Sequence, residues 1–270
     1  MSPRTALRRL DAEIVHRGLA RSRDQAAELL RTGRVEVAGF PEVKPATRVT
    51  PEVSIRVSLA VDDGYVSRGA HKLVGALAAF TGSGLVVLGR RCLDAGASTG
   101  GFTDVLLRAG ARQVVAVDVG YGQLAWSLRN DPRVAVRERT HVRDLDPERI
   151  DGPVELVVAD LSFISLTHVL PALVRCAEPG ADLVLLVKPQ FEVGRRRLGK
   201  GGVVRDLAAR ADAVRAVASS AAVLGWGVAD VVASPLPGPA GNVEYFLWLR
   251  QGFPDLAEDL LARAISQGPA

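Results

Sequence analysis

Four charged residues stand where predicted elements begin or end, and their types and spacing could move a proton. Asp160 closes a predicted strand Glu155–Asp160, Lys188 closes Leu183–Lys188, and Glu244 stands near the start of Val243–Leu249. Lys72 lies on a helix expected to begin near Gly69 and to carry Leu73, Leu77 and Phe80 on its apolar face. A lysine ending a buried strand must be solvated, paired or neutralised, so Lys188 most needs explaining. Two structural ion pairs, Lys72–Glu244 and Lys188–Asp160, would account for all four residues. The chemical alternative is a base. Where burial or a second cation depresses its pKa, a lysine can take the proton of a poor nucleophile such as a ribose hydroxyl. In that reading Lys188 is the base, Lys72 tunes it or clamps a ribose, and Asp160 and Glu244 orient the two amines.

The turn Asp94-Ala95-Gly96-Ala97-Ser98-Thr99-Gly100-Gly101-Phe102 falls where a predicted strand gives way to a helix. Glycines there let backbone approach a ligand at the carboxyl edge of an open α/β sheet. The order Gly-x-x-x-Gly-Gly departs from the dinucleotide fingerprint Gly-x-Gly-x-x-Gly. Asp118 ends the next strand, where a carboxylate can accept both hydroxyls of an adenosine ribose; its bland alternative is a helix cap. Asp144 could face an adenine or cap the following turn. Together these residues, with Asp160 at the next strand end, predict a nucleoside cofactor. Asp160-Leu161-Ser162-Phe163 is not the Asn/Asp-Pro-Pro-aromatic sequence expected for methylation of exocyclic amines, and neither Cys92 nor Cys176 follows a proline as a cytosine-C5 nucleophile usually does.

These residues need a sheet to hold them. Apolar runs at Cys92–Ala95, Gln113–Asp118, Val134–Arg137, Glu155–Asp160, Leu183–Lys188, Val228–Ser234 and Val243–Leu249 alternate with helical patterns near 101–109, 122–130, 166–177 and 206–224. That alternation predicts an α/β, doubly wound, largely parallel sheet. The connection Pro235–Gly241 is too short for a crossover helix, so the last strand should run antiparallel. Ahead of it, Leu10, Ile14, Val15 and Leu19 recur at helical spacing, Ser22 and Gln25 form a capping box before a second helix, and Gly33 stops that helix. Val35 and Val37, then Val53, Ile55, Val57 and Leu59, alternate as strands. The organisation expected is a small α+β domain 1–60, a linker 61–66, an α/β domain 67–250 and a tail 251–270.

The chain has 270 residues and a net charge of +4. Residues 1–60 hold eleven Lys and Arg against seven Asp and Glu, while the remainder balances, so the whole excess lies in the first segment. A small basic module beside a neutral one suits a nucleic-acid tether, although a solvated surface would look the same. Arg4, Arg8, Arg9, Arg21 and Arg23 are its candidate phosphate contacts. In the second domain Arg68 and the loop Gly194–Gly202, with Arg195, Arg196, Arg197 and Lys200, are further candidates. The aromatic residues are expected mostly in the core, leaving no stacking platform. The histidines lack metal or triad spacing. Two widely spaced cysteines and no uninterrupted apolar span point to a soluble chain in a reducing cytoplasm.

At this point the motifs resemble those of the TlyA/hemolysin A group of rRNA 2′-O-methyltransferases, related to the FtsJ-like methyltransferases. The resemblance runs through Leu10-Asp11, Gly18–Arg23 and Lys44-Pro45, which are similar to the ribosomal-protein S-four-type RNA-binding module. It continues through Ser67–Leu73, Asp94–Phe102, Asp118–Leu124, Asp160–Ser165, Lys188–Glu192 and Gly241–Tyr245. It implies a Rossmann-like class I methyltransferase fold with a seven-stranded sheet, S-adenosylmethionine as cofactor, a Lys72-Asp160-Lys188-Glu244 tetrad, and methylation of cytidine in 16S and/or 23S rRNA within ribosomal subunits. No metal is implied, and a monomer is expected. The linker Asp63-Gly64-Tyr65-Val66 departs from the group, whose members place arginine and tryptophan before the valine. Two rivals stand beside this reading: a non-catalytic RNA-binding assembly factor and a membrane-active hemolysin.

Overall fold

In the computed structural model, residues 7–20, 22–31, 33–41, 44–57, 64–194 and 197–268 are described. The chain divides into two compact units, Met1–Gly64 and Tyr65–Ala270.

The first unit runs β1 (Arg8–Arg9), α1 (Leu10–His16), α2 (Arg23–Arg31), β2 (Val35–Val37), β3 (Phe40–Pro41), β4 (Arg48–Val49) and β5 (Ile55–Val57). Its core joins Leu10, Ile14, Ala26, Leu29, Leu30, Val35 and Val49, so the helical and alternating patterns meet on one apolar centre. Ser22 Oγ accepts from Gln25 N at 3.1 Å, which caps α2. Gly33, at φ +65°, ends it with Arg34 N returning to Leu29 O.

The second unit carries α3 (Ala70–Thr81), β6 (Arg91–Ala95), α4 (Gly101–Arg108), β7 (Gln113–Val117), α5 (Trp126–Arg129), β8 (Val134–Arg137), β9 (Val154–Ala159) and α6 (Leu170–Cys176). It continues with β10 (Ala177–Val187), α7 (Pro189–Glu192), α8 (Leu207–Val223), β11 (Trp226–Ala233), β12 (Tyr245–Gln251) and α9 (Glu258–Ser266). The seven strands lie in the order β11-β12-β10-β9-β6-β7-β8, and β12 pairs antiparallel with both neighbours. Alternate residues of each strand face opposite cores. Leu93, Val115, Val157, Leu185 and Leu247 pack with α6, α8 and α9, while Cys92, Val114, Leu156, Val184 and Phe246 pack with α3 and α4. Both strand faces are buried, which is why the central strands read as continuous apolar runs.

Several boundaries differ from the sequence-based expectation, and β10 begins at Ala177 rather than at the expected Leu183. The helix expected near 122–130 is cut to α5, because Gly122 is left-handed (φ +70°) and keeps the preceding residues in a turn. The segment expected as a tail folds back on the sheet: Leu261 and Ala264 of α9 enter the core, and Val228 N donates to Pro254 O at 2.7 Å. The end of the expected linker belongs to the second unit, where Val66 N donates to Asp104 Oδ2 at 3.0 Å and the Arg108 guanidinium lies over the Tyr65 ring.

Candidate active site

The parallel strands all deliver their chain ends to one edge of the sheet. Val187 pairs with Tyr245 and Leu185 with Ala159, so the residues just beyond, Glu244, Lys188 and Asp160, stand side by side on β12, β10 and β9. Neighbouring strands are about 4.8 Å apart, close enough for these side chains to touch. Lys188 Nζ lies 2.6 Å from Asp160 Oδ1, and Lys72 reaches from α3 to place Nζ 2.6 Å from Glu244 Oε2. Lys72, Lys188 and Glu244 are buried. The four residues nominated as catalytic are thus two ion pairs at one strand edge, and the ion-pair and proton-transfer readings share a geometry. Glu244 Oε1 is buried against Gly238 with no hydrogen-bond partner among the described residues, so one acceptor is left over.

The glycine turn follows β6 along the same edge. Gly96 (φ +88°) and Gly100 (φ +96°) are left-handed, and a Cβ on Gly96 would meet Asp160 O at 2.6 Å. The turn therefore needs glycine to pass beneath Asp160. Gly101 opens α4 against α3, where a Cβ would lie 2.4 Å from Ser67 Oγ. Phe102 is in the core beside Phe246, ring centroids 6.0 Å apart, so it packs the helix rather than facing the turn. Asp94 is fully buried; Thr103 Oγ1 donates to its Oδ2 at 2.6 Å, and burial pushes its carboxyl up to about 7.

Asp118 accepts Ser98 N on one carboxylate oxygen at 2.8 Å and Gly120 N on the other at 2.7 Å. A carboxylate offers roughly four lone-pair sites, so each oxygen keeps capacity for a ribose hydroxyl. Ala97, Ser98, Asp118, Gly120, Gln123 and Leu124 help line a small open pocket there. The backbone-fixed carboxylate, at the mouth of that opening, suits the hydroxyls of a ribose. Thr99 O holds Ala125 N, joining the turn to α5. Asp144 is exposed in a short 3-10 turn, Val142–Asp144, beyond β8.

The candidate phosphate contacts are arranged less simply. In the first unit, the guanidiniums of Arg9 and Arg23 both bond Asp11 Oδ2, at 3.0 and 2.8 Å, and Arg8 bonds Glu13 at 3.1 Å. Asp11 is held down to about 2, chiefly by its hydrogen bond from Arg9. These half-exposed arginines are fixed by buried acids instead of hanging free. In the second unit Arg68 is exposed just before α3, and Arg197 pairs with Asp212 at 2.7 Å. Arg4, Arg21, Arg195 and Arg196 lie outside the described residues, as does the side chain of Lys200.

Some of the site was not foreseen. Lys188 Nζ donates to Ser162 Oγ at 3.0 Å, and Glu192 receives Ser165 Oγ at 2.5 Å and Leu166 N at 2.9 Å. Burial raises the Glu192 carboxyl above its ordinary value. Asn242, buried beside Glu244, accepts from Val204 N and donates to Gly202 O, tying the end of the basic loop to the tetrad. These residues sit inside motifs already singled out, but nothing in their spacing gave their partners. The expectation that aromatics lie in the core fails at this edge. Tyr121, Trp126 and Phe163 are exposed, and Phe163 at 91% follows Asp160 by three residues. Its left-handed backbone (φ +65°) turns it off the strand path.

A family model for the FtsJ-like methyltransferases matches residues 65–251, the whole of the sheet and its site. The chain belongs to the FtsJ-like methyltransferase family. As such it is a methyltransferase, and the strand edge just described is its candidate catalytic edge. Among FtsJ-like and related proteins it is 63% identical to the 16S/23S rRNA (cytidine-2′-O)-methyltransferase TlyA of Mycobacterium tuberculosis, over 97% of this chain and 98% of that one. It is 35% identical to the 23S rRNA (cytidine-2′-O)-methyltransferase TlyA of Campylobacter jejuni, covering 87% and 96%. A solved structure from Streptococcus thermophilus, described as a candidate hemolysin, superposes with a TM-score of 0.74 at 35% identity, covering 98% of each chain. Among the described residues no helix is long and apolar enough to cross a membrane, and no cluster of His, Cys, Asp and Glu could hold a metal ion.

Proposed function

We propose that this FtsJ-like methyltransferase transfers a methyl group to the ribose 2′-hydroxyl of cytidine in ribosomal RNA, 16S and/or 23S, within ribosomal subunits. The observation that carries the reading is the pair of lysine–carboxylate contacts at the edge where Gly96, Asp118 and Asp160 converge. The proposed cofactor is S-adenosylmethionine, held through its ribose by Asp118 and along the Gly96–Gly101 turn. When bound, it supplies an electrophilic methyl group.

The protein's own task is then to prepare the hydroxyl. Lys188, in its neutral form, takes the 2′-hydroxyl proton on Nζ as the oxygen becomes nucleophilic. Asp160 stabilises the ammonium that results. Lys72, fixed by Glu244, contributes a second cation beside the substrate. The exposed ring of Phe163, and the face of Tyr121 that the Arg139 guanidinium does not cover, offer surfaces on which an unstacked base can rest.

The first unit is the proposed RNA tether, with Arg8, Arg9 and Arg23 presented by Asp11 and Glu13. Removing residues 1–60 is expected to weaken binding to ribosomal particles and to flatten its dependence on salt, because fewer counterions are released. Filter binding over a salt series measures both, and an unchanged slope would place the tether elsewhere. For the reaction itself, labelled methyl from S-adenosylmethionine should appear on unmethylated 30S or 50S particles, at a ribose mapped as 2′-O-methylated. Label on a base, or none on either particle from protein that binds the cofactor, would reject this reading.

A further inference from the structure

Lys188 is held differently from Lys72. Its 2.6 Å contact with Asp160 Oδ1 is an ion pair with a poor hydrogen-bond angle, since that oxygen has no aligned donor. The aligned bond from Nζ goes to Ser162 Oγ at 3.0 Å. Charge attraction fixes where an amine sits but hardly its rotation, whereas a hydrogen bond weakens steeply once misaligned. Ser162 therefore sets the rotation of the Lys188 amine about Cε–Nζ.

Ser162 is itself held on both sides. Asp160 N donates to Ala95 O at 3.1 Å, so the loop leaves β9 still bonded to β6. Farther along, Glu192 on α7 receives Ser165 Oγ and Leu166 N, joining the loop to the element that follows Lys188. Between these anchors, Phe163 adopts φ +65° and packs against Phe191 with ring centroids 5.4 Å apart. A non-glycine residue in that region is disfavoured, and it persists only where its surroundings fix it. Glu192 and Phe191 supply that fixation.

A neutral amine carries two N–H groups and one lone pair, arranged tetrahedrally. With one N–H directed at Ser162 and the other on the side of Asp160, the lone pair takes the remaining direction. We propose that Ser162 is a positioning residue for methyl transfer, which with Asp160 aims the Lys188 lone pair at the substrate hydroxyl. The inference rests on reading Lys188 as the base. Without the serine hydroxyl the amine rotates among staggered positions, and only some of them present the lone pair.

The test is steady-state methyl transfer to unmethylated ribosomal particles by the full-length protein carrying Ser162→Ala, Ser162→Thr or Lys188→Ala. Ser162→Ala should lower kcat roughly tenfold while KM for particles and for S-adenosylmethionine stays within about twofold, the pattern of an interaction used in the transition state. Ser162→Thr, which keeps the hydroxyl at an exposed position, should recover kcat to within about threefold of the parent. An unchanged kcat in Ser162→Ala, a loss carried by KM, or a threonine variant as slow as the alanine one would overturn the proposal. Near-normal turnover of Lys188→Ala would instead remove the base and the proposal together. A dead Lys188→Ala beside a fully active Ser162→Ala would remove only the positioning role.

Discussion

Replacing Lys188 with alanine is expected to lower methyl transfer by about 10²- to 10⁴-fold, the contribution a positioned general base makes. Binding of S-adenosylmethionine and of RNA should change little, because the proposed cofactor contacts, the glycine turn and Asp118, follow β6 and β7 while Lys188 follows β10. The carboxylate left behind is tolerable. Its Oδ1 is buried and loses its cation, but the Asp160 side chain as a whole keeps 22% of its surface in water, which solvates the carboxylate in part. Single-turnover transfer alongside cofactor titration separates the two effects. A variant that binds normally and is silent supports proton removal at Nζ; one that fails to bind would show that Lys188 holds the site together.

The second large effect is on stability. Glu244 is fully buried and its Lys72 partner side chain retains 10% exposure. Removing one member of a buried pair costs about 3–5 kcal/mol, because the remaining charge is left uncompensated. Glu244→Ala should fall at the lower end of that range, since Lys72 can still reach some water. Urea unfolding measures it. Replacing both partners with apolar residues, Lys72→Met with Glu244→Leu, should recover most of the loss, as apolar replacement of a buried pair is often neutral. If the double variant is as unstable as the single one, packing of the Glu244 stem rather than its charge is what matters. Both variants should be inactive, so the stability cycle reads the pair apart from its chemistry.

The sequence by itself determined the layered architecture. Runs such as Leu156–Ala159 and Leu183–Val187 are apolar at every position, and that pattern suits a strand covered on both faces by helices. It also placed Asp160 and Lys188 at the ends of those strands, because a charge ends an apolar run wherever the chain leaves the core. It did not determine that β12 inserts between β10 and β11, which is what brings Glu244 beside Lys188. An antiparallel hairpin partner can lie at the sheet edge or within it, and local pattern is the same in both cases. Nor could it show that Asp11 and Glu13 hold the arginines of the first unit, or that Ser162 turns back to Lys188. Those contacts depend on side-chain direction and on a left-handed Phe163 whose cost is met by Glu192 and Phe191, and such balances between distant segments exist only once the chain has folded.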